Sequence, residues 1–148
     1  MSYYFIPLLI ILVLGAYLVI RANQRKWDDS LLQQGEKVVY EEEKIKFRSG
    51  RAENFDRTTH NLFLRLTNKR AFLLLANKQN VFTILDFTTE KENTAKENID
   101  KATLFVKKSS MKVVDNVLQM SGENFMGVPL KYEIEVNDGA KVKKALGL

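Results

Sequence analysis

A row of alternating cations is the feature of this sequence best suited to binding a ligand. In the segment Lys44-Ile45-Lys46-Phe47-Arg48, basic and apolar residues alternate, and Arg51 follows three positions later. On a β-strand the three cations would share one face at a spacing of about 7 Å, with Ile45 and Phe47 on the other face. Such a row could face several phosphates of anionic lipid headgroups. We therefore take Lys44, Lys46, Arg48 and Arg51 as candidate lipid-binding residues.

A plainer interpretation of the same row stays open. Alternation alone arises whenever one face of a half-buried strand is solvated. The acidic run Glu41–Glu43 lies just upstream and would weaken a positive field. This run is not an expected site for a hard cation, because neighbouring residues on a strand point to opposite faces unless a bulge intervenes.

A second candidate contact is the apolar pair Phe125 and Met126, which lies between Gly122 and Gly127. An apolar pair at the tip of a glycine-bounded loop could enter a bilayer or the groove of a partner protein. The alternative is that Phe125 folds back onto the core of its own domain.

Residues able to perform catalysis are sparse. The chain has no cysteine and one histidine, His60, which lies beside two threonines. One imidazole with scattered carboxylates does not make a histidine-rich metal site, and no zincin, EF-hand, nucleotide-binding or hydrolase motif occurs. We expect no catalytic residue, no metal and no cofactor.

The distribution of charge excludes one class of partner. The 148 residues carry a formal charge of +5, from 23 bases and 18 acids. Residues 1–27 hold three of the bases and no acid, so residues 28–148 carry 20 bases and 18 acids. A domain that binds nucleic acid is usually strongly basic, and we expect no nucleic-acid partner.

The N-terminal segment 3–20 is predicted to be a transmembrane helix. It is uncharged, and 18 helical residues would measure about 27 Å, close to the roughly 30 Å of a bilayer's hydrocarbon core. The alternative, a cleaved signal peptide, would need a basic start and a cleavage site of small residues, and neither is present. The cations Arg21, Arg25 and Lys26 follow the segment, which predicts that the C-terminal domain is cytoplasmic.

The rest of the chain shows the two-residue periodicity of β-strands. The clearest case is the segment from Val128 to Val136, which alternates apolar and charged residues. Residues 49–60 are predicted to be a polar loop and 88–101 a solvated loop or short surface helix. The C-terminal stretch is predicted to be a helix capped by Asn137 or Asp138. Predicted strands cover 37–48, 62–67, 70–76, 81–87, 102–106, 111–120 and 128–136. About seven antiparallel strands and one helix indicate a mainly β sandwich or partly open barrel.

The order of these elements resembles that of GRAM and bacterial pleckstrin-homology-like domains. The resemblance rests on the opening GEKVVY, the hairpin LFLRLTNKRAFLLL and the late KYEIEV with a terminal helix, and it covers 35–148. It implies a barrel capped by the helix and a binding scaffold without catalysis. Residues 21–34 would be a juxtamembrane linker.

Together these observations predict a single-pass membrane protein whose cytoplasmic domain is a binding module. The first hypothesis is protein interaction or assembly with a membrane partner, through a sheet edge or an end of the barrel. The alternative is binding of anionic lipid headgroups through Lys44, Lys46, Arg48 and Arg51. Because the anchor already holds the chain at the membrane, the first hypothesis is favoured.

Overall fold

The protein begins with an apolar helix that does not join the folded body. The computed structural model describes residues 5–22, 26–51, 54–87, 103–124 and 126–148. Helix α1 covers Phe5–Ala22, and every described side chain from Ile6 to Val19 is exposed. Among the residues that the structure describes, no helix combines the length and the hydrophobicity that crossing a membrane requires, so the predicted transmembrane helix 3–20 is not confirmed.

Eight strands and a second helix follow in the described part of the chain. Several strands begin or end at residues other than those predicted. The strands are β1 Val38–Arg51, β2 Asn54–Thr67, β3 Arg70–Leu74, β4 Val81–Asp86, β5 Thr103–Val106, β6 Lys112–Val114, β7 Val117–Glu123 and β8 Pro129–Glu135, and helix α2 covers Gly139–Leu146.

Seven of these strands close into a barrel. The sheet runs β5-β4-β3-β2-β1-β8-β7-β6. A further pairing of β5 with β7 closes the first seven strands of this order into a ring. Strand β6 lies outside the ring and pairs with β7 in a hairpin. The prediction of a mainly β domain with a C-terminal helix is confirmed. Of the two predicted architectures, sandwich and partly open barrel, the structure has the barrel, but the ring is closed. The prediction that all strands are antiparallel is wrong, because β4 and β5 run parallel.

The barrel interior is filled by the apolar face of each strand. On β8 the buried side chains are Tyr132 and Ile134, followed by Val136, as the alternation predicts. Helix α2 adds Val142, with Ala145 and Leu146 beside it, to the same cluster. The Asp138 side chain caps the helix by accepting a hydrogen bond from the Lys141 amide at 3.1 Å. This cap was one of the two predicted.

The predicted loop 49–60 is wrong in its described residues. Strand β1 continues to Arg51 and β2 begins at Asn54, so the two form a long ribbon. From Asn54 to Asn61 the side chains of β2 are mostly exposed, which explains the polar sequence. Hydrogen bonds across the ribbon satisfy the backbone there without burial of side chains.

The pairing of β1 with β2 shifts register at four places. Two of the shifts lie between Glu42 and Ile45 and between Ile45 and Phe47. Lys44 and Asn61 have positive φ angles of 57° and 55° near these shifts. Bulges of this kind sharpen the bend of a strand and assist closure of a barrel. Further along, the turn at Asp115 and Asn116 divides the predicted strand 111–120 into β6 and β7.

A strap, residues 26–37, lies between α1 and β1 and overlaps the predicted linker 21–34. Lys26 forms a β-bridge with Asn80, and a 3-10 turn covers Asp29–Leu31. Three side chains of the strap, Trp27, Leu31 and Leu32, pack on the outer face of the barrel. There they contact a second apolar group, the outer cluster, consisting of Phe63, Phe72, Leu74, Val81 and Ile84.

Candidate functional site

Two of the four predicted cations form ion pairs with acids of the neighbouring strand. Lys46 Nζ lies 3.5 Å from Glu135 Oε2, and the Arg48 guanidinium lies 3.6 Å from Glu133 Oε2 and 3.5 Å from Glu135 Oε2. The register places Lys46 opposite Glu135 and Arg48 opposite Glu133. The signal for this was the acidic alternation of KYEIEV, but its use required knowing that β8 pairs with β1.

The other two predicted cations lie elsewhere. Lys44 lies at the register shift between Glu42 and Ile45, where the regular alternation of β1 is interrupted. Arg51 lies at the end of β1 and lines a separate cavity with Lys107 and Lys131. The structure therefore does not bring the four predicted residues together as one row of free charges.

Of the predicted apolar loop pair, Met126 is exposed and Phe125 lies outside the described residues. Asn124 shapes this loop, because its Oδ1 accepts hydrogen bonds at 2.9 Å from both the Met126 and the Val128 amides. His60 is an exposed residue of β2. Within the ranges that the structure describes, no group of three or more His, Cys, Asp or Glu residues could hold a metal ion.

Two of the three motifs that carried the resemblance, the opening GEKVVY and the hairpin LFLRLTNKRAFLLL, meet in a buried ion pair. Arg70, the last residue of LTNKR, donates from Nε to Glu36 Oε1 at 3.0 Å and from Nη2 to Glu36 Oε2 at 2.7 Å. Glu36 belongs to the GEKVV opening and is buried. A two-pronged contact between a guanidinium and a carboxylate fixes the relative orientation of both groups.

Further hydrogen bonds complete the coordination of the Glu36 carboxylate. The Gln33 amide donates to Oε2 at 2.8 Å and the Thr67 hydroxyl to Oε1 at 2.6 Å. Burial alone would raise the pKa of Glu36, but the bonds from Arg70, Gln33 and Thr67 outweigh it and hold the pKa below its ordinary value. The carboxylate is thus kept ionised inside the protein.

The remaining residues of the hairpin corner also hold the strap. Asn68 Oδ1 accepts from the Lys37 amide at 2.9 Å, and its Nδ2 donates to the Gly35 carbonyl at 3.1 Å. Lys69 Nζ donates to the Gln34 carbonyl at 2.8 Å. We call this contact between the strap and residues Thr67–Arg70 the clasp. The sequence singled out both of its halves but gave no signal that they touch.

Aromatic and cationic side chains stack outside the barrel next to the strap. The Trp27 ring meets Phe72 edge to face at 4.8 Å between centroids. The Arg65 guanidinium lies 4.4 Å from the Trp27 ring centre, and Lys78 Nζ lies 5.1 Å from that of Phe63. The Trp27 amide also donates to the Gln79 carbonyl at 2.5 Å. The start of the strap is therefore fixed beside the turn that joins β3 to β4.

No family model, curated protein or solved structure matches this chain. The resemblance to GRAM and pleckstrin-homology-like domains stays a prediction that rests on the quoted motifs.

Proposed function

We propose that this protein is a non-enzymatic binding module anchored in a membrane by α1. One observation carries the proposal: every described side chain from Ile6 to Val19 is exposed, and the large ones are all apolar. A helix that is apolar on all sides is stable where its surroundings are apolar as well. The hydrocarbon core of a membrane meets that need without any partner protein.

The strap and the clasp would hold the barrel at a set distance from the bilayer. Lys26 is fixed to Asn80, and four peptide units separate it from Ala22, the last residue of α1. This length of chain spans at most about 14 Å. A connection this short keeps the barrel close to its anchor, which suits a subunit that assembles with membrane proteins.

The cytoplasmic side is the proposed location of the barrel, because Arg21, Arg25 and Lys26 follow the apolar segment. The pleckstrin-homology-like assignment is supported by the barrel with its C-terminal helix and by the contact between the two motifs. A surface suited to a partner strand is the edge of β6, which in the described residues pairs only with β7.

Anchoring and sidedness can be tested with one engineered thiol, because the chain has no cysteine. In the full chain, Ser109→Cys places a unique thiol at an exposed position. We expect alkaline carbonate to leave the protein in the membrane pellet. We also expect a membrane-impermeant maleimide to label the thiol only after the cells are permeabilised.

Release by carbonate would refute the anchor. Labelling in intact cells would refute the cytoplasmic location.

The edge of β6 is tested as the docking surface by crosslinking in the same membranes. Val114→Cys, at this edge, should form crosslinks to a partner protein that the Ser109→Cys control does not form. Equal crosslinking at both positions would argue against the edge as the docking surface.

A further inference from the structure

The open edge of β6 carries an excess of positive charge. The stretch 107–116, which contains this strand, holds three lysines and one acid. Two of these lysines, Lys108 and Lys112, are grouped here with Lys144 of α2 as the edge lysines. All three are exposed. Within the described part of the chain, none of the edge lysines forms an ion pair, so their charge is available to a partner.

The backbone of β6 has hydrogen-bonding groups on the side away from β7. Val113 lies opposite Leu118, and the two-residue turn at Asp115 and Asn116 follows one pair later. The pair that flanks such a turn exchanges backbone hydrogen bonds, and the next pair along does not. The N–H and C=O of Val113 therefore point to the open edge, where an extended segment could pair with them.

A cavity of about 320 Å³ lies beside this edge. Its lining includes the apolar side chains of Phe87, Met111 and Leu146 together with Lys108 and Lys144. Met111 directly precedes β6, and we call this space the edge cavity.

The third edge lysine lies on the opposite side of the strand. Lys112 lines a different cavity, which it shares with Gln119 on β7. Because successive side chains of a strand point to opposite faces, a segment paired with β6 would present alternate side chains to the edge cavity and to Lys112.

We propose that β6 docks an extended acidic segment of a partner protein. The segment pairs with the backbone of Val113, its Asp or Glu side chains form ion pairs with the edge lysines, and an apolar side chain enters the edge cavity. The proposal rests on the docking at β6 proposed above and adds the chemistry of the partner.

Charge decides which occupant fits this edge. Two copies of this chain would bring lysines of like charge together, and this opposes pairing of β6 with itself. Strand β6 has only three residues, Lys112–Val114, so few backbone hydrogen bonds can form along it. Ion pairs with the edge lysines therefore supply most of the selectivity for the partner.

The probe is a library of short random peptides displayed on phage and selected against the full chain in neutral detergent micelles. We expect the enriched peptides to contain more Asp and Glu than the starting library, in alternation with apolar residues. Fluorescence anisotropy then measures how tightly one enriched peptide binds. Its affinity should fall as the salt concentration is raised, because salt screens exposed charges.

Two matched variants locate the binding site. The edge variant removes the edge lysines: Lys108→Gln, Lys112→Gln and Lys144→Gln. The control variant removes three exposed cations elsewhere: Lys26→Gln, Lys37→Gln and Arg57→Gln. Each exposed ion pair is expected to contribute roughly threefold, so the edge variant should bind the peptide about 30-fold more weakly. The control variant should bind like the native chain, and arginine at the three edge positions should preserve binding.

An engineered thiol shows whether the peptide lies along β6, because the chain has no cysteine. The enriched peptide is synthesised with a thiol-reactive group at one end. It should label Val114→Cys faster than Ser109→Cys, because Ser109 lines neither of the two cavities. Equal labelling rates would place the peptide elsewhere and would contradict docking along this edge.

The remaining outcomes separate this inference from the proposed function. Enriched peptides without an excess of acids, or no enriched peptide, would refute the acidic segment. Equal loss of binding in the edge and control variants would indicate general charge attraction and would refute it as well. If the membrane crosslinks of Val114→Cys persist in the edge variant, the docking edge stands and only its acidic partner falls. If neither peptides nor crosslinks are found, both proposals fall.

Discussion

The Glu36–Arg70 pair makes a direct prediction at the scale of single residues. Arg70→Leu leaves the buried Glu36 carboxylate without its cation, so the free energy of unfolding should fall by about 3 kcal/mol. Urea unfolding of the full chain in detergent micelles measures this. The exposed pair of Glu43 and Lys78 is the matched control, and Glu43→Gln should have a much smaller effect. Equal losses in both variants would contradict a special role for the clasp.

The same pair predicts a dependence of stability on pH. The pKa of Glu36 lies below its ordinary value of 4.5 in the folded protein. Its contribution is therefore complete above pH 4.5 and is lost as the pH falls through the lower, folded value. In Glu36→Gln, the free energy of unfolding should be lower near neutral pH and should depend less on pH in this acid range. An unchanged acid slope would show that other groups dominate it.

Loss of the hydroxyl group should have opposite effects on stability at two tyrosines. The buried Tyr132 hydroxyl has no hydrogen-bond partner among the described residues, whereas Tyr40 donates to Glu42 Oε2 at 2.5 Å. Tyr132→Phe should leave stability unchanged or raise it by about 1 kcal/mol, and Tyr40→Phe should lower it by a similar amount.

Thermal unfolding of the two tyrosine variants tests this contrast. Burial also raises the pKa of Tyr132 above its ordinary value of 10.0, so its contribution is lost as the pH rises beyond 10. Tyr132→Phe should therefore weaken the alkaline loss of stability. A marked destabilisation of Tyr132→Phe at neutral pH would reveal a hydrogen bond to the hydroxyl.

Lys44 offers a prediction about stability, because its backbone lies in the left-handed region. Glycine adopts the left-handed φ of 57° without the cost that a lysine side chain incurs, so Lys44→Gly should stabilise the fold by about 1 kcal/mol. The control Lys112→Gly, in strand β6, should destabilise it by about 0.5 kcal/mol. If both variants lose stability, the backbone at Lys44 is not under strain.

At the scale of elements, α1 and the strap differ in what they contribute to the barrel. The described side chains of α1 are exposed, so removal of residues 1–22 should leave the unfolding midpoint nearly unchanged. Removal of residues 1–32 also takes Trp27, Leu31 and Leu32 from the outer cluster and should lower the free energy of unfolding by several kcal/mol. Equal midpoints for the two truncated chains would show that the strap is dispensable.

Which elements could be predicted depended on whether their pattern was local. The alternation of β8 and the cap of α2 are properties of short segments, and both were predicted correctly. The strands in the described part of 49–60 were not predicted because most of their side chains are exposed. An exposed strand has a polar sequence like that of a loop. The packing of the strap was not predicted, because its three apolar residues contact the outer cluster only in the folded barrel.

At the scale of the whole molecule, the pairing of distant strands decided the candidate site. The sequence shows the cations of β1 and the acids of β8, but only the register places Lys46 beside Glu135. The clasp was hidden for the same reason, since Glu36 and Arg70 are far apart along the chain and adjacent in space. A local sequence pattern shows which strand carries the charged residues. The residues with which they form ion pairs depend on which strands are neighbours in the sheet.

The pairing of β1 with β8 has a consequence for how the protein is made. During translation β1 leaves the ribosome long before β8, and although one side of β1 pairs with the adjacent β2, the other side of Lys46 to Gly50 pairs with Lys131 to Glu135. Contacts this distant in sequence form slowly because a long loop must close first. One side of β1 therefore stays unpaired until β8 has been made, and an unpaired strand edge of this kind can pair with another chain.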